Sequence, residues 1–155
     1  MGSNLAPEKN LRLAVNRLHE VGRLIEVSRV YQSPASGAEP QPDFLNAAAL
    51  VLTNLPLVDT RQQLREIEAD LGRVRRSGAG VAIDLDLCLY GTEILSTSEI
   101  TIPRPEILDY AFVAVPLAEL APKFLHPMNR QTLSVIANRL RQDSSLTLRT
   151  DVLLY

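Results

Sequence analysis

The sequence predicts an α+β fold, in which helices pack against a largely antiparallel sheet. Three observations support this prediction. Apolar residues recur at helical spacing in several segments, alternating or continuous apolar runs of strand length lie between them, and glycine or proline residues mark most of the boundaries. The chain has 155 residues, a length that fits one domain of roughly 100–200 residues. We therefore expect a single domain over residues 1–155.

The first predicted element is a helix that begins near Pro7 and ends before Gly22. Proline fits the first helical turn, and glycine often ends a helix. The apolar face between them is formed by Leu11, Val15, Leu18 and Val21. We predict no strand before this helix, although a ferredoxin-like βαββαβ arrangement needs one. One interpretation is that Met1 is an internal methionine of a longer protein.

Two strands follow the first helix. Residues 24–31 alternate between aliphatic and polar side chains, and residues 44–52 form a nearly continuous apolar run. Residues 33–42, which connect them, are rich in Pro, Gly and Ser. We interpret this connection as a long functional loop, and we expect the two strands to be neighbours in the sheet.

A second amphipathic helix is predicted over residues 59–71. Leu64, Ile67 and Leu71 lie on one helical face. Asp59 or Thr60 is available as an N-cap, and Gly72 closes the segment.

The second half of the chain predicts a hairpin, two helices and a closing strand. Residues 81–90 alternate between small polar and large apolar side chains, and Gly91 and Thr92 turn the chain into a second run over residues 93–102. Helical patterns cover residues 110–120 and 132–140, and residues 148–153 could close the sheet. The order in which these strands and helices follow one another is that of a ferredoxin-like α+β fold, except that the first strand is missing.

Composition excludes several classes of function. Lys and Arg total 16 against 18 Asp and Glu, so the chain has no overall positive field to attract nucleic acid or an anionic membrane surface. The single cysteine, Cys88, cannot form an internal disulfide, and we interpret it as a packing residue. The sequence shows neither a signal pattern nor a long apolar run. We expect a cytoplasmic protein without nucleic-acid or membrane partners.

The most informative local feature is the pair Asp84 and Asp86 in the predicted strand. Alternation places both carboxylates on the same face, about 7 Å apart at the backbone. Mg2+ in phosphate-transfer sites is commonly held by one or two carboxylates together with substrate phosphates. The pair therefore fits a magnesium site, while a solvated strand face that carries two acids is the alternative.

Arg73, Arg75 and Arg76 lie about ten residues before the aspartates. Guanidinium groups pair with phosphate oxygens in a bidentate way, so arginines near a carboxylate-bound metal suit a triphosphate. A basic end of a helix that only complements the helix dipole is the alternative.

Short blocks along nearly the whole chain, in order, resemble the 6-hydroxymethyl-7,8-dihydropterin pyrophosphokinase family of folate biosynthesis. The blocks lie at residues 2–5 (Gly-Ser-Asn-Leu), 31–34, 41–47, 67–68, 72–75, 83–91, 102–103 and 112–122. Each block is weak when taken alone, but together and in order they are specific.

This resemblance implies transfer of pyrophosphate from ATP to the hydroxymethyl group of a reduced pterin, with AMP as the second product and Mg2+ (two ions) bound between the enzyme and the triphosphate. The resemblance assigns Asp84 and Asp86 as metal ligands, and Arg73 and Arg75 as basic catalytic residues that also bind ATP. It places Glu68 and Arg104 at the nucleotide. The pterin pocket it implies consists of Ser33, Pro34, Phe44, Asn46 and Phe112, of which the two phenylalanines could equally be core residues.

Three positions depart from the family pattern. Val81 stands where an arginine is expected, Arg104 replaces a histidine, and Tyr110 replaces another arginine. These changes support a second hypothesis, a catalytically impaired relative that acts as a pterin-binding or regulatory protein. A ferredoxin-like interaction module unrelated to pterins is a third hypothesis, which requires that neither ligand binds.

Overall fold

The computed structural model describes residues 1–35, 41–72, 80–142 and 144–155. Eight strands and five helices lie within these ranges. In chain order they are β1 (Gly2–Ser3), α1 (Pro7–Arg17), β2 (Arg23–Val27), β3 (Val30–Ser33), β4 (Phe44–Asn46), β5 (Ala49–Leu52), α2 (Leu57–Asp70), β6 (Leu95–Ser96), β7 (Thr101–Ile102), α3 (Glu106–Asp109), α4 (Ala111–Leu120), α5 (Leu133–Arg141) and β8 (Thr147–Arg149). The mixed α+β class is confirmed.

The main sheet is antiparallel and has the strand order β1-β4-β3-β8. On its other side, β1 is bridged to Asp84, because the amide of each of Gly2 and Asp84 donates to the carbonyl of the other, at 2.9 and 2.8 Å. The segment at Asp84, β1, β4 and β3 therefore lie side by side, with α1 and α2 in the two crossovers. This is the order of a ferredoxin-like split βαβ arrangement.

The expectation that no strand precedes the first helix is wrong. β1 contains only two residues, but it occupies the centre of the sheet, between β4 and Asp84. Ser3 is fully buried there. Two small residues carry no hydrophobic alternation, so the pattern on which strand prediction depends is absent from the sequence.

Each of the two predicted long strands is divided in the middle. Residues 24–31 become parts of β2 and β3, and residues 44–52 become β4 and β5. At the break the Ser28 amide donates to the Ala48 carbonyl at 2.9 Å, and the Ala48 amide donates to Ser28 Oγ at 2.8 Å. The side-chain oxygen of Ser28 thus takes the place of a backbone carbonyl as the hydrogen-bond acceptor between the two strands. The strands are neighbours as predicted, since β3 pairs with β4 and β2 pairs with β5.

The hairpin predicted from residues 81–90 and 93–102 is also wrong. Only Asp84 in the first run makes a strand-like bridge, and its partner is Gly2. The hairpin that forms is smaller and joins β6 to β7. The acidic segment is held instead by β1 and by the amide of Arg104, which donates to the Cys88 carbonyl at 3.0 Å.

The helices pack against the sheet, and two apolar cores lie between them and the sheet. The first core combines residues of α1 and α2 with Val30, and the second combines residues of α4 and α5 with Tyr31. Because neighbouring side chains of a strand point to opposite faces, the two cores lie on opposite sides of β3. The described helices include none with both the length and the apolar character needed to cross a membrane.

Helix boundaries differ from the predictions by a few residues. α2 begins at Leu57, before the predicted caps Asp59 and Thr60, and has no side-chain cap. α5 begins after Thr132, whose hydroxyl accepts a hydrogen bond from the amide of Val135. The short α3 was not predicted.

Candidate functional site

A polar cleft of about 230 Å³ lies between α2, the segment that contains Asp84 and the residues around β7. Its lining residues are Arg61, Arg65, Glu68, Asp84, Leu85, Asp86, Leu87, Glu99, Ile100, Thr101 and Arg104. The cleft therefore brings together four residues predicted from the sequence, which are Glu68, Asp84, Asp86 and Arg104.

The two aspartates line the same cleft, as the alternation of the sequence predicted. The backbone of Asp84 is fixed to the centre of the sheet through Gly2. Burial raises the pKa of Asp86 above its usual value, the charge of Asp84 raises it further, and the guanidinium of Arg104 opposes the shift. The pair is thus a site of concentrated negative charge that a cation would stabilise.

Glu68 supports the segment that carries the aspartates. Its side chain is buried, with 4% of the residue exposed. Its Oε1 accepts a hydrogen bond from the amide of Leu85 at 2.6 Å, between the two aspartates. A charge-assisted bond to a backbone amide is strong, so Glu68 contributes to the position of both carboxylates as well as lining the cleft.

Arg104 lies directly beside the acidic pair. One guanidinium nitrogen, Nη2, is 3.2 Å from Asp86 Oδ1 and 2.9 Å from Glu106 Oε1. A positive charge therefore already sits at the edge of the aspartate pair. In this place it can contact either a carboxylate or an anionic ligand in the cleft.

Two further arginines in the cleft were missed by the sequence analysis. Arg61 and Arg65 lie on the same face of α2 as Glu68, at intervals of four and three residues. This helical spacing is the signal that could have found them. The guanidinium of Arg61 also donates to the Glu99 carbonyl and lies 3.9 Å from its carboxylate, so it joins α2 to the far side of the cleft.

The donor set fits Mg2+ that is shared with a phosphate ligand. Among residues 1–35, 41–72, 80–142 and 144–155, no group of three or more His, Cys, Asp and Glu side chains could hold a metal ion by itself. Asp84 and Asp86 are two hard oxygen donors in a cleft that also contains arginines. Mg2+ commonly has one or two carboxylate ligands and takes the remaining oxygens from water and phosphates.

The predicted pterin residues Ser33 and Asn46 lie on β3 and β4, and Asn46 pairs with Gly2, which is bridged to Asp84 of the cleft. Asn46 Nδ2 donates to Ser33 Oγ at 3.0 Å and, more weakly, to the Tyr31 carbonyl at 3.4 Å. Both Asn46 and Ser33 are buried. The serine hydroxyl therefore orients the amide of Asn46, and Pro34, which follows, is exposed.

Gly2 allows Asn46, a predicted pterin residue, and Asp84, a predicted metal ligand, to approach each other. A methyl group at this position would lie 3.2 Å from Asn46 Oδ1 and 3.7 Å from Phe44 Cδ1. Gly2 pairs with Asn46 on one side and with Asp84 on the other. Two strand spacings separate Asn46 from Asp84, which corresponds to about 10 Å between their backbones.

Phe112 stacks on Tyr110 near the start of α4. Their ring centroids are 5.1 Å apart, and the ring planes are inclined by 26°. α4 packs against β4, the strand that carries Phe44. The sequence analysis treated Tyr110 only as a lost arginine, so this aromatic pair was not foreseen.

Two predicted site residues, Arg73 and Arg75, lie outside the described residues. Cys88 is partly buried against the second core, and burial raises the pKa of its thiol to about 11. A thiol with so high a pKa is a poor nucleophile at neutral pH, in agreement with the packing role predicted for it.

A cleft that collects two aspartates and three arginines contains the groups that phosphoryl-transfer enzymes use, carboxylates that can bind Mg2+ and guanidiniums that can bind phosphate oxygens. Comparison with known proteins narrows this class. The chain belongs to the 7,8-dihydro-6-hydroxymethylpterin-pyrophosphokinase family, whose model matches residues 1–122. The family prediction made from the sequence blocks is confirmed, and with it the prediction that the chain is an enzyme.

Curated relatives support the same family over most of the chain. Proteins named 2-amino-4-hydroxy-6-hydroxymethyldihydropteridine pyrophosphokinase from several bacteria are similar to this chain. The Haemophilus influenzae protein is 34% identical over 143 residues, which are 90% of this chain and 89% of the relative. The Pseudomonas aeruginosa protein is 37% identical, over 88% of this chain and 87% of the relative. The Synechocystis protein is 38% identical, over 86% of this chain and 70% of the relative.

Proposed function

We propose that this chain transfers pyrophosphate from ATP to the hydroxymethyl group of 6-hydroxymethyl-7,8-dihydropterin in folate biosynthesis, with Mg2+ as cofactor. The observation that carries the proposal is the position of the acidic cleft, which begins one strand away from Gly2 and two strands away from Asn46. A pterin held at Asn46 would have its hydroxymethyl group within reach of a triphosphate bound at Asp84.

The reaction is an in-line displacement at the β-phosphorus of ATP. The hydroxymethyl oxygen forms a bond to this phosphorus and loses its proton, while the bond to the oxygen that bridges to the α-phosphorus breaks. AMP leaves with the bonding electron pair. Little covalent work is required of the protein in such a transfer, so positioning and electrostatic stabilisation dominate catalysis.

The residues of the cleft divide these tasks. Asp84 and Asp86 would hold Mg2+, which neutralises the charge that develops on the phosphates and orients them. Arg104 would contact ATP, Glu68 would keep the aspartate segment in place, and Arg73 and Arg75 would bind the phosphates. The last two assignments rest on the sequence blocks alone.

The pterin side has the chemistry of a site for a planar heterocycle. Phe44 and Phe112 supply aromatic faces, and Asn46 supplies an amide that Ser33 orients. Ser33, the last residue of β3, and Pro34, which follows it, would border the pterin pocket. A ring with both donors and acceptors along its edge needs a few fixed polar partners within an otherwise apolar site.

Product analysis tests this function. The protein is incubated with ATP, Mg2+ and 6-hydroxymethyl-7,8-dihydropterin, and nucleotides and pterins are separated by ion exchange. We expect one AMP for each pterin diphosphate. ADP as the nucleotide product, or the absence of any nucleotide turnover, would contradict the proposal.

One observation favours a second candidate, a relative that binds pterin but has lost efficient transfer. The guanidinium of Arg104 lies 3.2 Å from Asp86 and so places a cation against a proposed metal ligand. Calorimetry with the pterin, carried out beside the product analysis, separates the two candidates. Pterin binding without AMP formation would support the second.

A further inference from the structure

Arg104 is a positively charged group within the acidic part of the cleft. Its Nη2 is 3.2 Å from Asp86 Oδ1 and 2.9 Å from Glu106 Oε1. One guanidinium nitrogen therefore lies between two carboxylates, of which Asp86 is a proposed metal ligand. The side chain of Arg104 is 34% exposed, so water screens its charge only in part. A cation that belongs to the chain is thus already present where divalent cations are expected.

The backbone of Arg104 is hydrogen-bonded on both sides. The Arg104 amide donates to the Cys88 carbonyl at 3.0 Å, and the Arg104 carbonyl accepts a hydrogen bond from the Ile107 amide at 3.2 Å. Cys88 lies two residues after Asp86 in the acidic segment. The guanidinium and the carboxylate are therefore carried by segments that are bonded to each other, which limits how far they can separate.

Glu106 holds the guanidinium from the other side. Arg104 Nη2 donates to Glu106 Oε1, and Oε2 of the same carboxylate is buried without a hydrogen-bond partner among the described residues. Within this part of the chain, Arg104 is therefore the only hydrogen-bond donor to the Glu106 side chain. Because a buried acceptor is costly when it loses its partner, movement of Arg104 away from Glu106 is opposed.

The charge of Arg104 opposes a second divalent ion at the aspartate pair. A guanidinium and a divalent cation that share one carboxylate repel each other, and this repulsion is strong in a partly buried cleft. The contact to Asp86 is made through Oδ1, so the other oxygen can still serve one metal ion together with Asp84. Guanidinium groups also pair with phosphate oxygens, so Arg104 can supply the contact to the triphosphate that a second ion would make.

We propose that Arg104 takes the place of one of the two divalent ions that the sequence resemblance implies, so that the chain holds one Mg2+ with its nucleotide instead of two. The inference rests on the proposed function. Asp84 and Asp86 would hold the remaining ion, and Arg104 would neutralise phosphate charge from a fixed position. Because this cation is part of the chain, it is present at every Mg2+ concentration.

Counting the bound metal tests the proposal without turnover. Mn2+ replaces Mg2+, because electron paramagnetic resonance measures the Mn2+ that remains free in solution. The protein, in slight excess over α,β-methylene-ATP, is titrated with Mn2+ in the presence of 6-hydroxymethyl-7,8-dihydropterin. The bond to be broken is replaced by a stable one in this nucleotide, so no product forms. The same titration without protein gives the Mn2+ that the nucleotide binds by itself.

In the parent we expect one bound Mn2+ per complex. Arg104→Gln removes the charge but can still donate hydrogen bonds, so it should bind a second ion at the same free Mn2+ concentration. Arg104→His should also bind two at about pH 8, where an imidazole with its usual pKa of about 6.5 is neutral, and it decides the matter if Arg104→Gln does not fold. Arg23→Gln is the matched control, because Arg23 is exposed on β2 and does not line the cleft.

Two Mn2+ ions bound to the parent would overturn the inference. A single ion in both Arg104→Gln and Arg104→His would also overturn it, and so would a second ion in Arg23→Gln. The metal count does not depend on turnover. A parent that binds one Mn2+ but forms no AMP in the product analysis would contradict the proposed function and leave the inference standing, whereas a parent that binds neither nucleotide nor metal would contradict both.

Discussion

Phe44 and Asn46 share one face of β4, where Gly2 leaves room for both side chains. If Phe44 stacks on the pterin, Phe44→Ala should weaken pterin binding by about 1–3 kcal/mol, the range found for stacking of bases on aromatic side chains. Nucleotide affinity should change little, because the cleft is lined by other residues. Fluorescence titration with the pterin measures the change.

Phe124→Ala is the matched control for this measurement. Phe124 is partly buried against the second core, so its loss should lower the melting temperature without changing pterin affinity. If Phe44→Ala folds and binds the pterin as the parent does, Phe44 is a packing residue and the proposed pocket is wrong.

Residues differ in how readily their place in the site can be predicted from the sequence. Asp84 and Asp86 could be predicted to lie on the same face because strand alternation is a local pattern. Arg61 and Arg65 could have been found from their helical spacing to Glu68. The hydrogen bonds of Asn4 could not be predicted, since its partners Pro42 and Val81 approach it only after the sheet has formed.

The connection between α1 and β2 depends on Gly22. A methyl group at this position would lie 2.4 Å from the carbonyl oxygen of Leu52 in β5, a backbone atom that cannot rotate away. Gly22→Ala should therefore lower the free energy of unfolding by about 2–3 kcal/mol, as overpacking does in well-packed cores. Urea denaturation measures this change.

Gly91→Ala separates packing from backbone effects. Gly91 has a φ of +51° and nothing within 4 Å of the added methyl group, so only the left-handed backbone conformation opposes the substitution. We expect a loss of about 1 kcal/mol. A Gly91→Ala variant that is less stable than Gly22→Ala would contradict the close approach of Gly22 to β5.

The connection between α4 and α5 contains a buried histidine. His126 is 1% exposed, and no described residue forms a hydrogen bond with either ring nitrogen. Burial lowers the pKa of His126 in the folded protein. When the pH falls below about 6.5, the unfolded chain binds a proton that the folded protein does not bind, so the free energy of unfolding must decrease.

His126→Leu should remove this part of the pH dependence, and at pH 7 it should be no less stable than the parent, because it buries no unsatisfied nitrogen. The parent should lose at most about 1.4 kcal/mol per pH unit from this group between pH 6.5 and the lowered pKa. Urea denaturation at pH 5, 6 and 7 measures both slopes. The exposed His19, changed to leucine, is the control. Equal slopes for the parent and His126→Leu would refute this role of His126.

Elements with local signals were predicted well. α1, α2, α4 and α5 have long apolar periodicities and were found within a few residues. The errors lie where pairing is nonlocal. β1 is too short to show alternation, and the division of the long strands depends on the contact between Ser28 and Ala48 across the sheet. The wrong hairpin has the same cause, because Asp84 pairs with Gly2 instead of with the next segment of the chain.

For the molecule as a whole, the sheet order explains the site. β1 is central, so β4, which carries the proposed pterin residues, and the segment that contains Asp84 lie on its two sides. The order of blocks in the sequence was sufficient to recognise the family, but the distance between Asn46 and Asp84 follows only from the position of Gly2 between them.

The central claim is that Asp84 and Asp86 carry Mg2+-dependent transfer of pyrophosphate from ATP to the pterin. The most direct test is the rate of AMP formation against Mg2+ concentration for the parent, Asp84→Asn and Asp86→Asn, with Asp59→Asn on the exposed surface of α2 as the control. Each change in the pair keeps the side-chain shape and removes one carboxylate charge. We expect AMP formation to fall by at least about a hundredfold in both, the scale observed when one preorganised electrostatic partner of a transition state is removed, while Asp59→Asn matches the parent.

Asp84→Asn and Asp86→Asn variants that form AMP at the parent rate with the same Mg2+ dependence, or a parent that forms no AMP at any Mg2+ concentration, would contradict the claim.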